Sequence, residues 1–118
     1  MQLGNLERSI MEALWRHPHG MFAHDLAAGL PSQPAVTTVL TVLMRLANKG
    51  MVSRERVGRA HLYKATAGKD AFVAEAMRAA LDEAGDVAAA VQQFVGTVSP
   101  EVAAALREAL GERDGAEP

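Results

Sequence analysis

Thr37, Thr41 and Arg45 fall four residues apart in the run VTTVLTVLMRLANKG, with Thr38 and Asn48 beside them. On a helix, residues at this spacing stack along one face. A face kept only for solvation would carry Glu, Lys, Gln or Ala, because threonine's branched Cβ makes it a mediocre helix former. Hydroxyls, methyl groups and a guanidinium on one face suit a partner that is polar, anionic and partly apolar. The major groove of DNA is such a partner, presenting donors, acceptors and thymine methyl groups. Past Gly50 come Arg54, Arg56 and Arg59, with His61 and Lys64 close behind. These side chains can follow a phosphate backbone or an adjacent minor groove. Phosphate contacts supply affinity and position more than sequence choice.

A helix of this kind followed by a basic hairpin is the sequence form of a winged helix-turn-helix. In helix-turn-helix proteins the N-terminal part of the recognition helix faces the bases. That places Thr37, Thr38 and Thr41 nearest the groove floor and Arg45 near a phosphate or a base at the groove edge. Blander assignments stay open at single positions. Thr38 can bond its own helix backbone, Glu55 can occupy a neighbouring wing arginine, and His61 is equally an incidental strand residue.

The elements that must position these residues are legible on either side. Leu6, Ile10, Ala13 and Leu14 form a helical stripe that ends at Trp15, so a first helix runs from Asn5 to Arg16 and stops at His17-Pro18-His19-Gly20. A second short helix covers His24 to Leu30, with Leu26 and Leu30 inward. Pro31-Ser32-Gln33-Pro34 is a turn, in which Ser32 or Gln33 can cap the third helix and Pro34 suits its first turn. That helix runs to Asn48 or Lys49, with Val36, Val39, Leu40, Leu43, Leu46 and Ala47 as its buried stripe. Gly50 fits the left-handed position beyond its end. Met51–Arg56 and Ala60–Ala65 read as paired strands around Val57-Gly58-Arg59.

From Thr66 onward the chain becomes alanine-rich helix. Phe72, Ala76, Met77, Ala80 and Leu81 form one stripe that ends near Gly85. Asp86 can cap a second helix striped by Val87, Ala90, Val91, Phe94 and Val95. Ser99-Pro100-Glu101 is a strong helix start, and Val102, Ala105, Leu106, Ala109 and Leu110 follow as the last stripe. Gly111 to Pro118 is polar. The expected organisation is a winged helix-turn-helix over residues 1–66, a three-helix region over 67–111 and a flexible tail over 112–118. The fold class is mainly α with a small β-hairpin. Three short helices cannot bury their apolar faces unaided, since small units are marginal alone. Two copies packed about a twofold axis solve this. The apolar positions expected at that contact are Phe72, Met77, Leu81, Val91, Phe94, Val95, Val102, Leu106 and Leu110.

Charge divides along the same line. Residues 1–66 hold eight Lys or Arg against four Asp or Glu, net +4, and residues 67–118 hold four against ten, net −6. One half is suited to a polyanion and the other is not. The chain has no cysteine, which removes disulfides and thiolate metal sites. His17, His19, His24 and Asp25 lie close together but match no closed zinc motif, so no metal or cofactor is assigned. No Gly-rich phosphate loop, nucleophile elbow or carboxylate pair is present, so no catalytic residue is assigned and an enzyme is not expected. With no signal segment and no apolar run near the ~20 residues of a membrane span, the expectation is a cytoplasmic protein without membrane insertion.

The segments LGNLERSIMEALW, TTVLTVLMRLANKGMV and RVGRAHLYKA together resemble the penicillinase-repressor (BlaI/MecI) family, over about Leu3 to Leu110. The resemblance implies a homodimer of winged-helix domains joined through three C-terminal helices. It also implies repression of resistance or cell-envelope genes from inverted TACA and TGTA half-sites. Members of the antibiotic branch are released by proteolysis, triggered through a membrane sensor with a zinc-protease domain. Their cut falls before a phenylalanine of the middle dimerisation helix, which corresponds to Gln93-Phe94, where Gln93 departs from the family's asparagine. Copper-responsive relatives carry a C-terminal cysteine cluster, absent from this chain. Met21-Phe22 replaces the usual polar start of the second helix. Two other readings fit the residues: a winged-helix regulator released by a small ligand or metal, and a winged-helix module whose basic face binds an acidic protein.

Overall fold

The computed structural model describes residues 3–116. Its elements are α1 (Asn5–Arg16), β1 (Met21–Phe22), α2 (Ala23–Gly29), α3 (Val36–Asn48), β2 (Val52–Val57), β3 (Ala60–Ala65), α4 (Lys69–Asp82), α5 (Val87–Thr97) and α6 (Pro100–Ala116). They divide into two compact units, residues 1–76 and 77–118. No helix among the described residues is long and apolar enough to cross a membrane.

In the first unit three helices close around one aliphatic core. Ile10 and Leu14 of α1, Leu26 of α2, and Val39, Leu43 and Leu46 of α3 are almost wholly removed from solvent, with Val52 and Tyr63 of the sheet beside them. Each fully buried aliphatic contributes about 1.5–3 kcal/mol over an exposed position. The sheet has the order β1-β3-β2 and is antiparallel throughout. Its third strand, β1, pairs Met21 with Tyr63 and Phe22 with Leu62, and so enlarges the expected hairpin to three strands. Two residues are too few for a period-2 pattern to show. What admits β1 is Gly20, whose φ is +102° and whose missing Cβ would stand 2.7 Å from Leu62 Cγ.

Glu7 ties the first turn of α1 to the end of α3. It is buried, accepts from the Gly4 amide at 3.0 Å and from Lys49 Nζ at 2.8 Å. The Lys49 hydrogen bond, with the Gly4 amide next, holds the Glu7 carboxyl below its ordinary value of 4.5 against the opposing effect of burial. A depressed folded pKa adds stability that is complete above the ordinary glutamate range and is lost as pH falls through the folded value. Glu7→Gln is therefore expected to lose about 2 kcal/mol near neutral pH. Urea unfolding should show the gap between wild type and variant narrowing as pH drops from about 6 to about 3. A gap that stays constant would assign the loss to packing rather than to the ion pair.

The start of α4 belongs to the first unit. The Trp15 indole N–H donates to Ala67 O at 3.1 Å, the rings of Trp15 and Phe72 lie 5.4 Å apart, and Lys69 pairs with Glu12 at 2.9 Å. Phe72, expected at a contact between copies, is thus half-buried beside Trp15 within its own chain.

The second unit is different in kind. Among its described residues none is buried, although Met77, Leu81, Val91, Phe94, Val95, Val102 and Leu110 are all large and apolar. Asp86 caps α5 by accepting from the Ala89 amide, and the Val102 amide donates to Ser99 Oγ at the start of α6, both as expected. Other boundaries shift. α4 stops at Asp82, before Gly85, and α2 begins one residue early at Ala23. α6 runs on to Ala116 instead of stopping at Leu110, because the charged segment after Gly111 is compatible with helix even without an apolar stripe. The last two residues of the expected tail over 112–118 lie outside the described residues.

Candidate nucleic-acid interface

The third helix starts later than its turn suggests. The Gln33 amide closes a tight turn onto Leu30 O, Gln33 takes a positive φ of 42°, and Ala35 occupies the N-cap position in extended conformation. Ser32, Gln33 and Pro34 consequently precede the helix rather than capping or opening it. Ala35 has no side-chain oxygen, so the first amides of α3 receive no side-chain cap. They sit at an exposed helix end where the dipole favours negative charge.

The buried residues of α3 are Val39, Val42, Leu43 and Leu46. Val42 was not in the expected stripe. Val36 and Leu40, which were, each remain 40% exposed, and Ala47 is exposed as well. At 3.6 residues per turn the side opposite the buried four is centred on Thr37, Thr41, Met44 and Asn48. Thr38 and Arg45 form one edge of this outward face, and Val36, Leu40 and Ala47 form the other. The expected groove residues Thr37, Thr38, Thr41 and Arg45 are all exposed. Back-bonding to the helix occurs at Thr41, whose hydroxyl donates to Thr37 O at 3.0 Å. Thr38 makes no such bond among the described residues, so its hydroxyl is the less committed of the two.

Directly opposed residues in β2 and β3 share a face of the sheet. Arg54 opposes Tyr63 and Arg56 opposes His61, so these four lie on the face that also carries the buried Val52. Glu55 and Lys64 lie on the other face, where they approach to 3.9 Å. Glu55 thus engages Lys64 and leaves the arginines alone, and Lys64 is separated from the arginine face. Arg54 and Arg59 have no ion-pair partner among the described residues. Arg56 Nε donates to Gly58 O at 3.1 Å across the turn, where Gly58 holds a positive φ of 63°. That arginine helps shape the wing tip as well as adding charge.

Wing and helix meet. Arg59, His61 and Tyr63 share with Val36 and Leu40 of α3, and with Phe22 and His24, a shallow depression of about 270 Å³. The structure therefore brings the wing tip beside the N-terminal half of α3. His61 is half-buried on its wall, 6.4 Å from the Tyr63 ring. His24 stacks 6.1 Å from Phe22 and lies 3.3 Å from Asp25. Among the described residues no three His, Asp or Glu side chains gather as a metal set. The sequence pattern missed Met44, because an apolar residue inside an apolar helix gives no sign that it faces out.

Residues 3–112 match the penicillinase repressor family. The chain belongs to that family. The transcriptional regulator BlaI of Mycobacterium tuberculosis is 40% identical over 94% of this chain and 84% of its own length. A solution structure of the DNA-binding domain of the repressor BlaI superposes with a TM-score of 0.52 at 24% identity, covering 58% of this chain and 84% of that one. MepR, a transcription regulator of the Staphylococcus aureus multidrug efflux pump MepA, superposes over 97% of this chain and 79% of its own with a TM-score of 0.54 and 22% identity. At those identities the superpositions establish the winged-helix fold. Family membership makes the chain a BlaI-type, DNA-binding transcriptional repressor and not an enzyme.

Proposed function

We propose that this penicillinase repressor family member acts as a homodimer on an inverted-repeat operator and represses β-lactam resistance or cell-envelope stress genes. The observation that carries the DNA contact is the exposed Thr37-Thr38-Thr41-Arg45 surface of α3 with Arg59 of the wing tip beside its N-terminal half. In this reading α3 enters the major groove, and Arg54, Arg56, Arg59 and His61 approach the flanking backbone or minor groove. Twofold pairing is supported by the second unit, where no described residue is buried and eight large apolar side chains are exposed. Helices of this length owe most of their stability to tertiary packing. The candidate release point is the Gln93-Phe94 bond, which the family resemblance places under a membrane sensor metalloprotease and where Gln93 departs from the family's asparagine. That bond lies inside α5, so cutting would require the helix to open locally.

The test is a titration of a duplex carrying inverted TACA and TGTA half-sites against a scrambled duplex over a range of salt. Specific binding should fall steeply with salt, in proportion to the phosphates engaged. Equal affinity for both duplexes at moderate salt would sink the repressor reading. Within it, Thr38→Ala is expected to reduce the operator-to-scrambled ratio by about fivefold, roughly 1 kcal/mol, while scarcely changing affinity for the scrambled duplex. An unchanged ratio would show that α3 is turned away from the bases at that position.

A further inference from the structure

We infer that Met44 is a specificity-determining contact that selects thymine through its 5-methyl group. The inference rests on the DNA-binding reading above and adds a residue and a base to it. Met44 is 62% exposed, more than any other large apolar residue among the described residues. Isolated exposed apolar residues are common and need no explanation by themselves. Met44 differs by its place. It stands in the middle of the outward face of α3, one turn beyond Thr41 and one turn before Asn48, directly opposite the buried Val39–Leu46 row. Any groove that receives Thr37 and Thr41 receives Met44 with them.

Its chemistry then narrows the partner. A thioether has no donor and is only a weak acceptor. It cannot replace the guanidinium of Arg45 at a phosphate or match the donor and acceptor edges of guanine, adenine or cytosine. The one group on the floor of the major groove that an apolar side chain satisfies is the C5-methyl of thymine. An unbranched, polarisable side chain with three rotatable bonds adapts readily to such a contact. Thr41 supports the assignment: with its hydroxyl bonded to Thr37 O, it contributes chiefly its methyl group on the same line of the helix. The centre of the outward face thus offers apolar surface at Thr41 and Met44, with hydrogen-bonding groups at Thr38, Arg45 and Asn48 around it.

The experiment uses the full chain and a duplex it selects from a pool of random inverted repeats. Each thymine of a half-site is replaced in turn by deoxyuridine, which deletes the methyl and leaves the hydrogen-bonding edge intact. For the wild type, one thymine per half-site should show about fourfold weaker binding as uracil, the value of one buried carbon, with the other positions changed less than twofold. Met44→Ala should lose that response, binding thymine and uracil duplexes within twofold, whereas Met44→Leu should retain it. Met44 is mostly exposed and is not one of the buried core residues, so neither variant is expected to unfold, and circular dichroism checks this. A selected duplex whose thymines all tolerate uracil would overturn the inference alone. So would a uracil penalty that persists in Met44→Ala. A pool that yields no preferred sequence would overturn the DNA reading and this inference together.

Discussion

Phe94→Asp is expected to give monomers in sedimentation and to weaken operator binding by roughly 100-fold, the scale on which two linked half-site contacts exceed one. Phe94 is 46% exposed in the single chain, with Val91 and Val95 of the same helix similarly open. A second copy is what would remove them from water. An aspartate placed in that contact must lose its charge or its hydration, either of which costs several kcal/mol. Phe94→Leu keeps an apolar group of similar reach, so it should stay dimeric near wild-type affinity. The two variants together separate charge from shape. A Phe94→Asp dimer would move the contact elsewhere on the second unit. Monomers that still bind the operator tightly would show that one winged domain suffices.

The same residue shows what could be read from sequence. The caps of α5 at Asp86 and of α6 at Ser99 are local signals, each decided within one turn of helix, and they stand as expected. α1 is legible for the same reason, since Pro18 and Gly20 end a clean amphipathic pattern at Arg16. α3 is legible as a helix but not in its rotation. Eight of its thirteen residues are apolar, so apolar side chains run most of the way round. Which of them turn inward is decided by Ile10, Leu14 and Leu26, which lie in other elements. That is why Val42 replaces Val36 and Leu40 in the core, and why Met44 emerges outward. Phe72 illustrates the same limit: its stripe position predicts an apolar contact, but the Trp15 ring that provides one is remote in sequence.

At the wing, the residue types were legible from sequence and their alternation on two faces was not. Register with β3 puts Glu55 beside Lys64 and leaves Arg54 without an ion-pair partner among the described residues, the opposite of what the adjacency of Arg54 and Glu55 suggests. This sorting sets the second large effect. The double variant Arg54→Ala/Arg59→Ala removes two wing cations per protomer, four per dimer, without touching the Arg56 bond that closes the wing turn. Each phosphate contact contributes about 0.9 to the slope of log affinity against log salt. The slope should therefore fall by about four. Affinity near 50 mM salt should drop by roughly 100-fold on operator and scrambled duplexes alike, because phosphate contacts carry no direct sequence information. Arg54→Lys/Arg59→Lys should restore most of the slope, since lysine supplies the same point charge to a phosphate. Loss of the operator-to-scrambled ratio in the alanine variant would place at least one of these arginines on a base edge, most simply in the minor groove. An unaltered slope would mean that the wing stands clear of the backbone and that the positive charge of residues 1–66 acts through Arg45 and the uncapped start of α3 instead.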